Sequence, residues 1–314
     1  MKKRWSQLSI LMLVCLWVSI LPQKAAALSC GASVSNINFG TVNVRTGAVN
    51  QTSASVTISC TGALINLVGT CLRFGPGSGG AGSNNAPRYL RRGDGATLPY
   101  QLRPLGNGNT FGTLNALYVP IAILLGSGSA TVPIFADITA NSVAIGSGQY
   151  SSIFSGSSNI ELKYGAPSDC NLLTQTANVP PFSVAAEVVP SCELDVTSLN
   201  FGTISGSANN PVDETAVVNV RCTSNTSYTI GLGMGGGGGS NPQLREMRSG
   251  SSVLKYGLYR DSALSLPWGN TAGNMPNSTG TGSNNAFTVF GRIHAGQSPR
   301  AGVYTDNVVV TITY

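Results

Sequence analysis

The chain states one pattern twice. "SCGASVSNINFGT" at 29–41 and "SCELDVTSLNFGT" at 191–203 each open on Ser-Cys and reach Asn-Phe-Gly-Thr eight residues after the cysteine. A second cysteine follows the first after 30 residues in both copies, Cys30 to Cys60 and Cys192 to Cys222. The residues before it alternate alike. Ala54, Val56 and Ile58 share a face with Cys60, as Ala216, Val218 and Val220 do with Cys222. Period-two alternation marks a half-buried strand with its cysteine turned inward. The match resumes downstream, "RRGDGATLPYQL" (91–102) against "MRSGSSVLKYGL" (247–258), then "TVPIFADI" (131–138) against "FTVFGRI" (287–293). These observations predict an all-β chain of two homologous domains, 28–178 and 192–314, with 179–191 between them. Each is long enough for a sandwich core.

Residues 1–27 read as an export signal: Lys2, Lys3 and Arg4, an apolar run from Leu8 to Leu21, and the small residues Ala25, Ala26 and Ala27. Four of the chain's 18 Lys and Arg fall in that segment and none of its 12 Asp and Glu, so the mature balance is +2. The basic pI therefore carries no weight as a sign of nucleic acid. Charged residues make up 10% of the chain against the usual quarter, and Gly numbers 39, which suits short strands joined by turns. Six cysteines remain in an exported chain, an even number that favours disulfides over metal or thiol chemistry. The repeat suggests Cys30–Cys60 and Cys192–Cys222, leaving Cys71 and Cys170 to brace the first domain alone.

The last segment, "GVYTDNVVVTITY", places Tyr304, Val308, Val310, Ile312 and Tyr314 on one face of a strong strand. An exposed apolar strand edge ordinarily invites aggregation or a partner. Between the domains, "PPFSVAAEVVPSC" (180–192) carries Phe182, Val184, Ala186 and Val188 in alternation. It follows domain one's last strand, with Ile160, Leu162 and Tyr164 inward, by a short loop. The simplest geometry makes it the closing strand of domain one. Domain two has no such sequel and reads as one strand short.

The Cys…"FGT"…Cys opening and the ending "FGRIHAGQSPRAGVYTDNVVVTITY" resemble the spore coat U domain family, which includes secreted pilins of archaic (Csu-type) chaperone–usher pili. The resemblance implies two immunoglobulin-like sandwiches, the second lacking its final strand. It further implies a periplasmic chaperone that lends a strand during assembly, an outer-membrane usher, and an adjacent pilin subunit whose donor strand replaces the chaperone's. Only Leu28 and Ser29 stand between the expected cleavage site and Cys30, so the expectation is a subunit that accepts a strand and has none to give. The two-domain arrangement accordingly resembles the tip adhesins of Csu-type pili, periplasmic during assembly and then at the cell surface, active in surface attachment and biofilm formation.

Other motifs carry less. "GLGMGGGGGSNPQ" (231–243) lacks the Lys-Ser/Thr and helix of a phosphate loop and reads as a flexible loop. Arg92-Gly93-Asp94 is hairpin-turn material as well as an integrin-type tripeptide. The single histidine, His294, has no triad or zinc partners in sequence, and no acidic pair stands out, so the expectation is a non-enzymatic protein without cofactor or metal. Csu-type resemblance implies attachment through hydrophobic loop ends to an abiotic or host surface. Leu117, Tyr118, Val119, Ile153 and Phe154 are the candidates, with core and contact both open for each. Ile121, Ile123 and Leu125 read instead as core strand residues. A glycan-binding tip lectin and a structural coat or pilus shaft subunit are the rival readings.

Overall fold

The structure is a computed structural model describing residues 27–45, 47–62, 65–80, 87–104, 110–111, 116–139, 142–167, 169–205 and 208–314. All but the last residue of the expected signal lies outside the described residues. Among those described, strands and turns account for all regular structure, and no helix is long and apolar enough to cross a membrane.

The first half contributes twelve strands: β1 (Ser29–Val34), β2 (Ile37–Val42), β3 (Gln51–Thr61), β4 (Ile65–Phe74), β5 (Arg88–Arg91), β6 (Thr97–Arg103), β7 (Leu117–Leu124), β8 (Ser127–Ile138), β9 (Gly148–Phe154), β10 (Ile160–Gly165), β11 (Gln175–Ala177) and β12 (Phe182–Val188). Their main path runs β11-β10-β4-β7-β8-β6-β5-β9-β12-β2, with β1 on β3 and β3 on β8. The second half adds β13 (Cys192–Val196), β14 (Val212–Cys222), β15 (Ser227–Leu232), β16 (Arg245–Ser249), β17 (Ser252–Tyr259), β18 (Asn277–Thr279), β19 (Asn285–Ile293) and β20 (Val310–Thr313). They form two sheets, β13-β14-β19-β17-β16 and β18-β15-β20. Each half gathers its own buried apolar cluster, and no residue belongs to both.

The repeat in sequence is a repeat in register. Cys30 opposes Cys60 across β1 and β3 as Cys192 opposes Cys222 across β13 and β14, and both pairs are disulfides. Cys71 and Cys170 form the third. In the chain-entropy model a 30-residue loop so closed contributes about 3–4 kcal/mol. The recurring Asn-Phe-Gly also has a physical cause. Gly40 and Gly202 sit at φ 65° and 71°, the left-handed region that glycine enters freely. Asn38 and Asn200 fix each kink by accepting the glycine N–H at 2.8 and 2.9 Å.

Two arginines are likewise duplicated. The Arg88 guanidinium donates to the carbonyls of Phe74, Gly75 and Phe111 at 2.7, 2.7 and 2.8 Å. Arg245 does the same to Leu232, Gly233 and Trp268 at 3.1, 2.9 and 2.7 Å. Both are buried, and burial holds each below the usual arginine range. These bonds make Phe74 the counterpart of Leu232, which aligns the two halves residue by residue.

Leu125 departs from the expected core position. Ile121 and Ile123 are buried, but the alternation stops where β7 turns into β8 through Leu125 and Gly126. Both have positive φ, 54° and 88°, as a two-residue hairpin of this hand requires. Leu125 is 89% exposed at the tip of that hairpin.

Candidate strand-acceptor site

In domain one β12 fills the space between β2 and β9. It runs antiparallel to β9, from Phe182 opposite Phe154 to Val188 opposite Gly148, and parallel to β2, with Val184 opposite Ile37. Phe182, Val184, Ala186 and Val188 are all buried. Phe182 stacks on Phe154 at 4.6 Å between ring centroids and meets Phe74 edge-on at 6.0 Å. On its other side β9 is held by β5, where Arg91 pairs with Ser151.

Domain two keeps the frame of this arrangement. Thr305 exchanges two backbone bonds with Arg248, 3.0 and 3.1 Å, as the counterpart of the Ser151–Arg91 pair. Arg248 donates to the Gly237 carbonyl, and Arg91 to that of Gly79 at 3.0 Å. The kinked lip is present at Asn200–Gly202. Yet among the described residues no strand lies between that lip and residues 303–308. A groove of about 610 Å³ occupies the place, walled by Leu199, Phe201, Tyr304 and Val308 and floored by Val218, Leu232, Tyr256 and Leu258. Val310 to Thr313 pair with β15 on one side, Ile312 opposite Ile230, and with no described strand on the other. Tyr304, Val308, Val310 and Ile312 are half-buried against the core, while Tyr314 is exposed.

A carboxylate lines the groove. Asp306 accepts the Gly236 and Gly237 N–H groups at 2.7 and 3.1 Å and the Tyr256 hydroxyl at 2.6 Å. Burial first, and then this carboxylate, push the Tyr256 phenol well above its usual range. The counterpart in domain one is Ser152, which accepts the Gly79 N–H at 3.1 Å. The glycine run 235–239 is thus a packed crossing rather than a loose loop. A Cβ on Gly237 would stand 1.6 Å from the Glu246 carbonyl oxygen, as one on Gly79 would from that of Tyr89.

The five surface candidates divide. Phe154 and Val119 are buried, Phe154 because β12 covers it, so both belong to the core and not to a contact surface. Leu117 is half-buried. Tyr118 and Ile153 are exposed, but on β7 and β9, which are not neighbours. A different apolar strip exists. Tyr118, Pro120, Ala122 and Leu124 share the exposed face of β7, Leu67 opposes Ala122, and Leu125 caps the strip. The hairpin tip lies beside Gly62, whose N–H donates to the Gly126 carbonyl at 3.1 Å, at the end of the domain where β1 begins. β2 continues β1 along β3, Ser35 bonding Ser55 and Asn38 accepting Thr52. It ends with β12 at the opposite end, where the chain passes to domain two.

The remaining motifs are structural. Arg92 is paired with Asp94 at 2.6 Å and lies over the Tyr150 ring. His294 Nε2 contacts the Gln243 carbonyl at 2.7 Å, and Arg292 pairs with Asp213 at 2.5 Å. No group of three or more possible metal ligands occurs among the described residues. Reading the sequence missed the buried arginines. Their signal was available, since Arg91 opens the matched "RRGDG" segment with Arg88 three residues before it, as Arg248 lies within "MRSG" with Arg245 three residues before it.

The model of the Spore Coat Protein U domain matches residues 16–155 and 179–311. The chain therefore belongs to that family, as two copies of its domain. It is 33% identical over 156 residues to Protein U of Myxococcus xanthus, covering 45% of this chain and 86% of that protein. Among solved structures it is similar to a chain of the CsuC–CsuE chaperone–tip adhesion subunit pre-assembly complex of Acinetobacter baumannii archaic chaperone–usher Csu pili. That match has a TM-score of 0.56 and 19% identity, covering 92% of this chain and 100% of that one. The CupB6 tip adhesin of Pseudomonas aeruginosa aligns over 92% of this chain and 94% of its own at 13% identity, with a TM-score of 0.34.

Proposed function

We propose that the protein is a non-enzymatic tip adhesin of a chaperone–usher pilus. It is exported to the periplasm, where a chaperone fills the groove of domain two until the usher exchanges it for the donor strand of an adjacent pilin. One observation carries the reading: the space that β12 fills in domain one stands open in domain two, between lips of the same construction. Such a groove binds an extended segment through main-chain pairing plus alternate apolar side chains. The test uses the full chain with and without a donor-type peptide or the pilus chaperone. An occupant at a hundredfold its Kd stabilises domain two by about 2.7 kcal/mol. A domain-two transition that neither moves would sink the proposal.

Domain one is the attaching part on this reading, and the hairpin tip is its point of contact. Leucine in the left-handed region costs about 1–2 kcal/mol, and its side chain gains nothing from burial there. A bulky apolar residue kept at such a cost on the end facing away from domain two supports contact with an apolar surface. Leu125→Asn separates folding from function, because asparagine tolerates this backbone region. We expect unchanged or higher stability and several-fold weaker attachment to polystyrene. Undiminished attachment, or blockage by a soluble sugar, would favour the lectin reading instead. Immunogold label along the whole fibre would favour the shaft or coat subunit.

A further inference from the structure

A single proline stands between the last residue bonded into domain one and the first bonded into domain two. Val189 donates its N–H to the Val42 carbonyl at 3.1 Å. The Ser191 N–H reaches Thr223 Oγ1 at 3.2 Å, and its carbonyl accepts the Thr223 N–H at 2.9 Å. Pro190 lies between them. Its ring holds its own φ at about −65° and confines Val189 to extended backbone, so little beyond the ψ of Pro190 is free to turn.

A second contact stands off that axis. The segment 142–148 of domain one ends at Gly148, opposite Val188 at the end of β12. Within it Val143 is buried and Ile145 packs against the core. Ala144 is left at the outer corner of a turn that the Ile145 N–H closes on the Ser142 carbonyl at 2.9 Å. There it meets Gly282 of domain two. A Cβ on Gly282 would stand 2.5 Å from the Ala144 Cα, and Ser224 Oγ lies 3.5 Å from the Ala144 carbonyl oxygen. Gly282 is itself fixed to β14, its N–H donating to the Cys222 carbonyl at 3.1 Å.

The turn that carries Ala144 is laid over one side chain. The Arg92 guanidinium donates to the Ser147 carbonyl and forks onto the Asp94 carboxylate at 2.9 and 2.6 Å. It also lies 5.6 Å from the centroid of the Tyr150 ring. A Cβ on Gly146 would stand 2.6 Å from its Nη1, and one on Gly148 would stand 3.1 Å from its Cδ. Domain two builds the same turn without it. Tyr304 donates to the Arg300 carbonyl at 2.8 Å as Tyr150 does to that of Gly146 at 2.8 Å. Yet beside Arg248, where Arg92 stands beside Arg91, the residue is Ser249. The domain whose turn meets a second domain is the one that carries the cation.

We propose that the two domains turn as one body and that Arg92 is the positioning residue of their joint. It sets the turn at 142–148 so that Ala144 and Pro190 hold domain two at two points. A contact this small would ordinarily leave two domains free to move. Here the linker has almost no freedom of its own, and the contact blocks what remains. The Arg92-Gly93-Asp94 tripeptide is thereby spent on the joint, its two charges closed on each other. None of this depends on what fills the groove of domain two.

Backbone amide relaxation of the mature chain, read by NMR separately for each domain, tests the joint. Both domains of the parent chain should report one rotational correlation time. Four Gly/Ser residues inserted after Pro190 form a flexible linker, and each domain should then tumble separately and roughly twofold faster, being about half the chain. Arg92→Ala and Gly282→Asn loosen the contact from opposite sides, and asparagine tolerates the left-handed φ of 78° at position 282. Both should bring the correlation times partway toward those of the insertion. In Arg92→Ala the amides of residues 224 and 282 should shift while the melting transition of domain two stays in place. Separate tumbling in the parent chain overturns the rigid joint. A common time kept in Arg92→Ala but lost in Gly282→Asn overturns the part given to Arg92. A common time kept in both overturns the second point of support.

Discussion

Residues 148–154 in domain one and 302–308 in domain two have the same neighbour on one side and different neighbours on the other. Arg91 or Arg248 holds the first side in each. On the second side lies β12 in one domain and the open groove in the other. The kink at Asn200–Gly202, the Arg245 bonds and the Gly237 crossing are all formed in domain two without a strand to lean on. The lips are therefore held by each domain's own polar bonds. What a closing strand adds is apolar burial, at roughly 1.5–3 kcal/mol for each large side chain taken out of water. A groove shaped in advance spares its occupant part of the ordering cost of binding.

The largest effect that could break this comparison comes from weakening β12. Phe182→Ala removes a ring packed on both Phe154 and Phe74, and about 3–5 kcal/mol should leave domain one. In calorimetry the domain-one transition should fall while that of domain two stays in place. A fall in both, or in neither, would mean that β12 is not the private closing strand of domain one. Next in size are the two arginines. Arg88→Met and Arg245→Met each strand at least three buried carbonyls, and each should cost about 2–4 kcal/mol in its own domain. Similar losses would support one shared frame. A much smaller loss for Arg245→Met would show that the empty groove has already relaxed that frame.

The parts legible in the sequence were those written as spacing. Thirty residues between cysteines, Asn two before Gly, and alternation around Cys60 and Cys222 each correspond to a register or a kink that the structure contains. Alternation fails where burial depends on a distant strand. Phe154 was open to a surface role because nothing nearby shows that Phe182, 28 residues on, will stack on it. Leu125 continued the phase of Ile121 and Ile123, and only the positive φ at Gly126 and its own reveals the turn. Nothing in the alternation around Arg88 and Arg245 marks them as buried. Their guanidinium groups are held by the carbonyls of Phe74 and Leu232 at the ends of β4 and β15, contacts that comparing the two repeats could suggest but no local pattern encodes.

The smallest effect tests a difference in charge within the shared frame, Ser152 against Asp306. Asp306→Ser gives domain two the residue that domain one carries and should cost about 1–2 kcal/mol, since a hydroxyl still accepts one glycine N–H but loses the charge-assisted bonds. The sharper readout is alkaline. Burial raises the Tyr100 and Tyr256 phenols, and Asp306 adds to the effect only for Tyr256. A phenol raised in the folded state stabilises the fold below its unfolded value of about 10, and that contribution is lost as pH climbs from there through the folded value. With serine at 306, Tyr256 should ionise at a lower pH than before, though still above 10 because it remains buried. Tyr100 should not move. The alkaline loss of domain-two stability should accordingly level off sooner in the variant, by ultraviolet titration and by denaturation at stepped pH. An unchanged Tyr256 titration would mean that the carboxylate does not act on the groove floor, and that the two domains differ there only in whether a strand covers them.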